Sequence, residues 1–304
     1  MSRHTLIVIN RHFMWFKLGL FIVKLISHTP FFILYCISSI LSSFLIIIPG
    51  IRRIPYRNFY RVYYTKSNWE LWKLTYKYIC TYLDFLLEMF KMTGFSEKQM
   101  RNHCIFKNIE LIERLSQKHQ FILCYCGHMV NYEMFTSLPL HLKRNVGMCH
   151  LYLSAPPSKG IDWMLKIRSR YGAINIPSNN PLRTLLSLKN DMDNRNNLYK
   201  SFIFGSLADL DPKKDDKHSV QFLGHELEVK TGSEKLARKL NMGFCYAHIS
   251  RPKRGYYEVE FREMHPQTAP NIYEYAYTDE FVRMLEQNIK ENPVLWMQWG
   301  APRF

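Results

Sequence analysis

Phe121-Ile-Leu-Cys-Tyr-Cys-Gly-His-Met-Val-Asn-Tyr-Glu133 sets the reading of the whole chain. Its apolar run, Phe121 to Tyr125, is short enough for a buried strand, and a glycine soon after it is followed at once by His128, with a carboxylate five residues further on. The pattern spells strand, turn, helix. On one continuous helix a five-residue step separates two side chains by roughly 140°, so His128 and Glu133 meet only if His128 lies in the turn and Glu133 in the helix that follows. An imidazole whose second nitrogen donates to a carboxylate is held in one tautomer and becomes a stronger base, as proton removal from an alcohol requires. The same spacing also arises without function, so the pair takes its meaning from its surroundings.

Outward from this stretch the chain alternates. Short apolar runs at 121–125, 146–151, 173–177, 201–205 and 243–249 are separated by helical stretches near 131–137, 159–170, 181–189 and 233–240. That order predicts an α/β fold with a largely parallel central sheet flanked by helices. Residues 257–262 alternate apolar and polar, which predicts a partly exposed late strand. In open sheets of this kind ligands bind beyond the carboxyl ends of the strands, where His128 falls. On the amino-terminal side Trp69, Trp72, Tyr76, Ile79, Leu83, Leu86 and Phe90 keep helical spacing and predict one long amphipathic helix over 68–92. Ser96 with Gln99 forms a capping-box pattern that opens a further helical stretch running through Ile109 to Gln117.

A chain of 304 residues with 47% hydrophobic content can bury a sizeable core, and its outlying property is a formal charge of +16. From Met1 to Trp69 there are nine Lys or Arg and no Asp or Glu. Basic charge mixed with aliphatic and aromatic residues suits an anionic membrane surface. Nucleic acid is disfavoured as the partner, since there is no zinc-finger spacing, no RNA-binding aromatic signature and no polar basic helix. Residues 13–26 carry Lys17 and Lys24 on one helical face, which predicts an interfacial amphipathic helix. Residues 31–49 hold 19 positions without a charge and are followed by Arg52 and Arg53, enough to cross or deeply enter a bilayer despite four serines. No alanine precedes Ala155, which argues against a cleavable signal peptide. The expected organisation is a basic, hydrophobic membrane anchor over 1–55 and an α/β domain over 56–304. The seven cysteines are scattered, mostly in apolar runs and without a C-x-x-C pair, which places the body in a reducing compartment, the cytoplasm.

Several chemistries lack their signatures. There is no G-x-S-x-G elbow, no phosphate-cradling glycine loop and no H-E-x-x-H metal motif; no metal or cofactor is called for. Cys124 and Cys126 lie near His128, but their place in or at the end of an apolar strand favours packing over nucleophilic work. Direct acyl transfer to a hydroxyl, with His128 as base, is what remains.

Gly127-His-Met-Val-Asn-Tyr-Glu133 resembles the H-x-x-x-x-D/E motif of the glycerolipid acyltransferase superfamily, in the H-x-G-N-W-E flavour of the lipid A biosynthesis (lauroyl/myristoyl) acyltransferase family. Three further blocks follow in that family's order. Ile161-Asp-Trp-Met-Leu-Lys-Ile-Arg-Ser-Arg-Tyr-Gly172 resembles its arginine-bearing helix, Gly205-Ser-Leu-Ala-Asp-Leu-Asp-Pro212 its A-D-Q-x-P strand end, and Val220-Gln-Phe-Leu-Gly224 with Thr231, Gly232, Leu236 and Ala237 its later glycine-containing segment. The resemblance covers roughly Pro49 to the end. Tyr132 stands where the family has Trp, and Leu210 where it has Gln.

The resemblance implies an acyltransferase at the cytoplasmic face of a bacterial inner membrane, taking a fatty acyl chain from acyl carrier protein to a hydroxyl of a lipid A precursor. It implies that His128 takes the hydroxyl proton while Glu133 orients it, that Arg168, or Arg170 nearby, holds anionic substrate or stabilises the oxyanion, and that Asn131 and Asp209 support the site. Two alternatives remain open: another lipid acceptor, such as an aminolipid or lysophospholipid, and a non-catalytic basic membrane or nucleic-acid binder.

Overall fold

The computed structural model describes residues 18–152, 159–193, 198–209, 217–302 and 304. The amino-terminal part is helical: α1 (Leu18–His28), α2 (Phe31–Leu45), α3 (Pro49–Val62), α4 (Asn68–Lys91) and α5 (Glu97–His103). Strands and helices then alternate as β1 (Cys104–Lys107), α6 (Ile109–Ser116), β2 (Phe121–Cys126), β3 (Val146–Tyr152), α7 (Lys159–Arg168), β4 (Ile174–Pro177), α8 (Pro181–Asp193) and β5 (Ser201–Leu207). A hairpin of β6 (Lys217–Phe222) and β7 (His225–Lys230), helix α9 (Gly232–Lys239), strands β8 (Gly243–Lys253) and β9 (Tyr256–Glu263), and α10 (Ala276–Glu291) follow.

Seven strands form one sheet in the order β1-β9-β8-β2-β5-β3-β4. Every neighbouring pair in it is parallel except β8 with β9. The largely parallel α/β sheet expected from the alternation is therefore present. Strand β2 is buried at all six positions, because the sheet is covered on both faces there, and for that reason it reads as an unbroken apolar run. Strand β9 alternates between intermediate and buried positions, as the pattern at 257–262 predicts.

Two local expectations are corrected. The capping box on Ser96 and Gln99 forms, but its helix stops at His103, and Cys104–Lys107 becomes an edge strand of the sheet. Four residues are too few to show a period of their own. The stretch after the Gly-His turn is a 3-10 helix, Tyr132–Leu140, entered through Asn131 in the left-handed region at φ 49° and carrying Pro139 inside it.

The amino-terminal region departs further. Residues 31–49 do not form one segment, because α2 ends at Leu45 and α3 begins with Pro49 at its first turn. No single described helix is long and apolar enough to cross a membrane; α1 and α2 together pass by length and composition but are bent by 118°. Lys17 lies outside the described residues. Helix α2 is turned inside out: Leu34, Ser38 and Ser42 are buried, while Phe32 (69%), Ile40 (58%) and Phe44 (65%) face outward. Two of the four serines that lower its hydropathy, Ser38 and Ser42, point at the protein.

Ser42 donates to the Ser38 carbonyl within the helix, and the partners of Ser38 lie on α4 and on the turn between β8 and β9. Ser38 donates to Asp84 at 2.5 Å, and Arg254 reaches Asp84 at 2.5 and 2.8 Å and Ser38 at 2.7 Å. Arg251 approaches the same carboxylate at 3.5 Å. Asp84→Ala leaves these cations without their counter-charge; because Arg254 is partly exposed, the expected loss of stability is about 3 kcal/mol, the low end for a broken buried pair. Urea unfolding in detergent measures it.

Candidate active site

Strands β2 and β5 are parallel neighbours in a register that pairs Phe121 with Phe202 and, five steps later, Cys126 with Leu207. His128 and Asp209 each lie two residues beyond the end of their strand. The register therefore carries them side by side at the carboxyl edge of the sheet, where His128 Nδ1 lies 2.5 Å from Asp209 Oδ1. Sheet adjacency makes this pair.

Asp209 is buried and well supplied with donors. The backbone N–H of His128 and the indole N–H of Trp296 both reach Oδ2 at 2.8 Å. Burial alone would raise its carboxyl, but the charge and hydrogen bonds of His128 and Trp296 outweigh that and hold it below the usual carboxylate range. An ionised Asp209 can only accept, so Nδ1 of His128 carries the ring proton and Nε2 is left with a lone pair. Nε2 has no hydrogen-bond partner among the described residues. The ring stands edge-on to Tyr132, with centroids 5.0 Å apart.

The carboxy-terminal segment straps this turn in place. Met297 N–H donates to the His128 carbonyl at 2.8 Å, and Val130 N–H to the Leu295 carbonyl at 2.6 Å. A Cβ at Gly127 would come within 2.4 Å of the buried Leu285 side chain, which would have to shift to admit it.

Glu133 does not orient His128, as the spacing suggested. The 3-10 turn carries it toward α7, where Arg168, at that helix's carboxyl end, grips it through Nε at 2.9 Å and through Nη2. Glu133 is 5% exposed, and its two hydrogen bonds to Arg168 outweigh the effect of burial on the guanidinium, keeping Arg168 more firmly protonated than usual. Breaking the pair strands a buried charge. Glu133→Gln is expected to cost about 3–5 kcal/mol in urea unfolding, and Glu133→Gln with Arg168→Gln less than the sum of the single changes.

Asn131 is buried and donates from Nδ2 to Glu88 Oε2 at 2.8 Å. Tyr257 and Tyr35 donate to the same carboxyl at 2.5 and 2.8 Å, and burial raises Glu88 above its ordinary value. Asn131 thereby ties the turn after β2 to α4, α2 and β9. Arg170 lies apart from the cavities that His128 lines: its guanidinium binds the carbonyls of Thr93 and Phe95 at 2.7 Å, in and just after the 3-10 turn Met92–Gly94 that follows α4. Cys124 and Cys126 are buried, burial pushes their thiols up, and Cys126 donates to the Ser206 carbonyl, all of which fits packing rather than nucleophilic work. Among the described residues no cluster of His, Cys, Asp or Glu could hold a metal.

Two cavities meet at His128. The outer one, about 570 Å³, lies between α3, α4 and the carboxy-terminal segment and is lined largely by apolar residues such as Leu45, Ile51, Ile54 and Met297. The inner one, about 370 Å³, reaches past Glu133 and Arg168 to Met148 and His150. Tyr132 borders both. Glu88, His150 and Trp296 were not legible in the sequence; each acts through neighbours distant along the chain.

A histidine with one ring nitrogen open, where two mainly apolar cavities share their lining and the inner one also holds Glu133 and Arg168, fits an enzyme that handles amphiphilic substrates. Comparison with curated proteins gives no match. The sequence model of one family, described as bacterial lipid A biosynthesis acyltransferase, matches residues 2–304, so the chain belongs to that family.

Proposed function

We propose that this protein is a membrane-associated O-acyltransferase that moves a fatty acyl chain from acyl carrier protein to a hydroxyl of a lipid A precursor, with His128 as general base oriented by Asp209. The observation that carries the reading is the Asp209-held imidazole, its Nε2 unpaired where the two cavities join. In this reaction Nε2 takes the proton of the acceptor hydroxyl while the oxygen attacks the thioester carbonyl. The tetrahedral adduct then expels the thiolate, which recovers that proton from the imidazolium. Arg168 spends two of its five N–H groups on Glu133, leaving others for a substrate anion or for the oxyanion.

The membrane enters through α1 and α2. Their exposed aliphatic and aromatic side chains, with Leu45 at the end of α2 lining the outer cavity, suit a surface seated in lipid at the cytoplasmic side of an inner membrane. Next to it Arg52, Arg53 and Arg57 line a cleft of about 840 Å³ with Tyr56, Tyr60 and Trp72. Phosphates of the lipid, the anionic membrane and an acidic carrier protein are all drawn to such a cleft, and the attraction weakens with salt.

The test is thioester consumption by the full chain in lipid vesicles, with acyl carrier protein loaded as donor and a lipid A precursor as acceptor. The reading stands if thiol release requires the precursor and yields its acylated form. If release requires an aminolipid or a lysophospholipid instead, the acceptor assignment fails. If no lipid supports release, the transfer reading fails.

A further inference from the structure

Tyr132 stands against the ring of His128 and borders both cavities. Its hydroxyl has no hydrogen-bond partner among the described residues and, unlike Asn131 Oδ1, it is open rather than sealed in the interior. The charges of Glu133, Arg168 and Asp209 all act on it, which puts the phenol among the groups that surround the base. Burial first, and then the Glu133 carboxylate, raises it above its ordinary value, so at neutral pH it keeps its proton and is a donor. The hydroxyl belongs to this chain's departure from the family pattern, which has Trp there.

Acyl transfer through His128 needs such a donor. When the acceptor oxygen attacks the thioester, the carbonyl π pair moves onto oxygen, and that anion forms within a few bonds of Nε2, in a mainly apolar space where an unpaired charge is costly. The turn's backbone is already committed. The N–H of His128 goes to Asp209, that of Met129 to the Gly127 carbonyl, that of Val130 to the Leu295 carbonyl and that of Tyr132 to the Met129 carbonyl. Side chains close by are committed as well: the Tyr78 hydroxyl to the Met297 carbonyl, the Thr136 hydroxyl to the Glu133 carbonyl and the Trp296 indole to Asp209. The Tyr132 hydroxyl is not.

We propose that the Tyr132 hydroxyl donates a hydrogen bond to the thioester carbonyl oxygen as it becomes the oxyanion of the tetrahedral adduct, which makes Tyr132 a further catalytic residue. It keeps its own proton throughout. Nε2 takes the proton of the acceptor hydroxyl, the collapsing adduct re-forms the carbonyl and expels the thiolate, and the thiolate recovers that proton from the imidazolium. The inference rests on the acyl-transfer reading and deepens it.

The experiment uses the full chain in detergent, as wild type and Tyr132→Phe, which removes one oxygen and nothing else. Because that oxygen bonds to nothing in the fold, the urea midpoint is expected to stay where it is. In transfer from acyl carrier protein to the lipid A precursor, kcat is expected to fall about 10²-fold, with KM for both substrates within about three-fold of wild type. A kcat that stays within about three-fold of wild type overturns the proposal, and so does a loss carried by KM alone. Binding without turnover is measured alongside, with two unreactive pantetheine analogues bearing the same alkyl chain: a phosphonate, whose tetrahedral anion stands where the adduct forms, and a thioether, which has no oxygen there. Tyr132→Phe is expected to weaken the phosphonate about ten-fold and to leave the thioether unchanged. If the analogues behave so with a protein that transfers acyl groups to no lipid, the acyl-transfer reading falls and the oxyanion contact stands. If Tyr132→Phe binds both as wild type does, or weakens both equally, the contact falls whatever the activity.

Discussion

His128→Ala is expected to lower kcat for acyl transfer by about 10²–10⁴-fold, with little change in KM for either substrate. The ring is placed to act on a proton and contributes little to binding, since it occupies only the junction of the two cavities. The fold should survive its removal. Asp209 keeps two donors that do not depend on the imidazole, the backbone N–H of residue 128 and the indole of Trp296, so the loss does not leave its carboxylate bare. The strap from Leu295 and Met297 holds the turn through backbone atoms alone. Thioester turnover under saturating substrate measures the effect, and unfolding of the same preparation separates a chemical loss from a structural one. A variant that keeps wild-type kcat would remove His128 from the chemistry.

How far the sequence reaches is clearest at this histidine. Alternation of short apolar runs with helical stretches foretells the parallel sheet, and the run at Phe121–Cys126 places His128 at its carboxyl edge, because those signals are local. The partner of the imidazole is not local. Asp209 lies 81 positions away and comes alongside only because β5 inserts between β2 and β3, an order that no spacing within the Gly127–Glu133 motif encodes. Glu133 was the nearer carboxylate along the chain, but the 3-10 turn with Pro139 and the left-handed Asn131 swing it to Arg168. The same limit governs α2. Its serines lower the hydropathy of a segment that would otherwise read as a span, and only the packing against Asp84 and Arg254 shows that Ser38 faces inward. Leu210, Asp211 and Pro212, part of the strand-end block, lie outside the described residues.

Asp209→Asn is expected to be the most damaging isosteric change, lowering kcat by about 10³–10⁴-fold, by analogy with the loss of a carboxylate that holds a catalytic histidine in its tautomer. The argument follows from the donors around it. With the backbone N–H of His128 and the Trp296 indole both pointing at the Oδ2 position, the amide oxygen of Asn is drawn there, and the NH₂ group is turned toward Nδ1. Nδ1 then has to accept, the ring proton moves to Nε2, and the nitrogen facing the cavities can no longer take a proton. Shape and volume are nearly unchanged, so stability at neutral pH should fall far less than activity. The acid limb of stability separates the two proteins further. The Asp209 carboxyl is held below its ordinary value, so its stabilising contribution is fully present above about pH 4 and is lost as pH falls through the depressed folded value. Asp209→Asn lacks that dependence. Glu133→Gln should show the opposite balance, a larger loss in urea unfolding than in kcat, because its charge holds Arg168 rather than His128. If Glu133→Gln abolishes turnover in a stable protein while Asp209→Asn leaves kcat intact, Asp209 is not the carboxylate that sets the tautomer of the base.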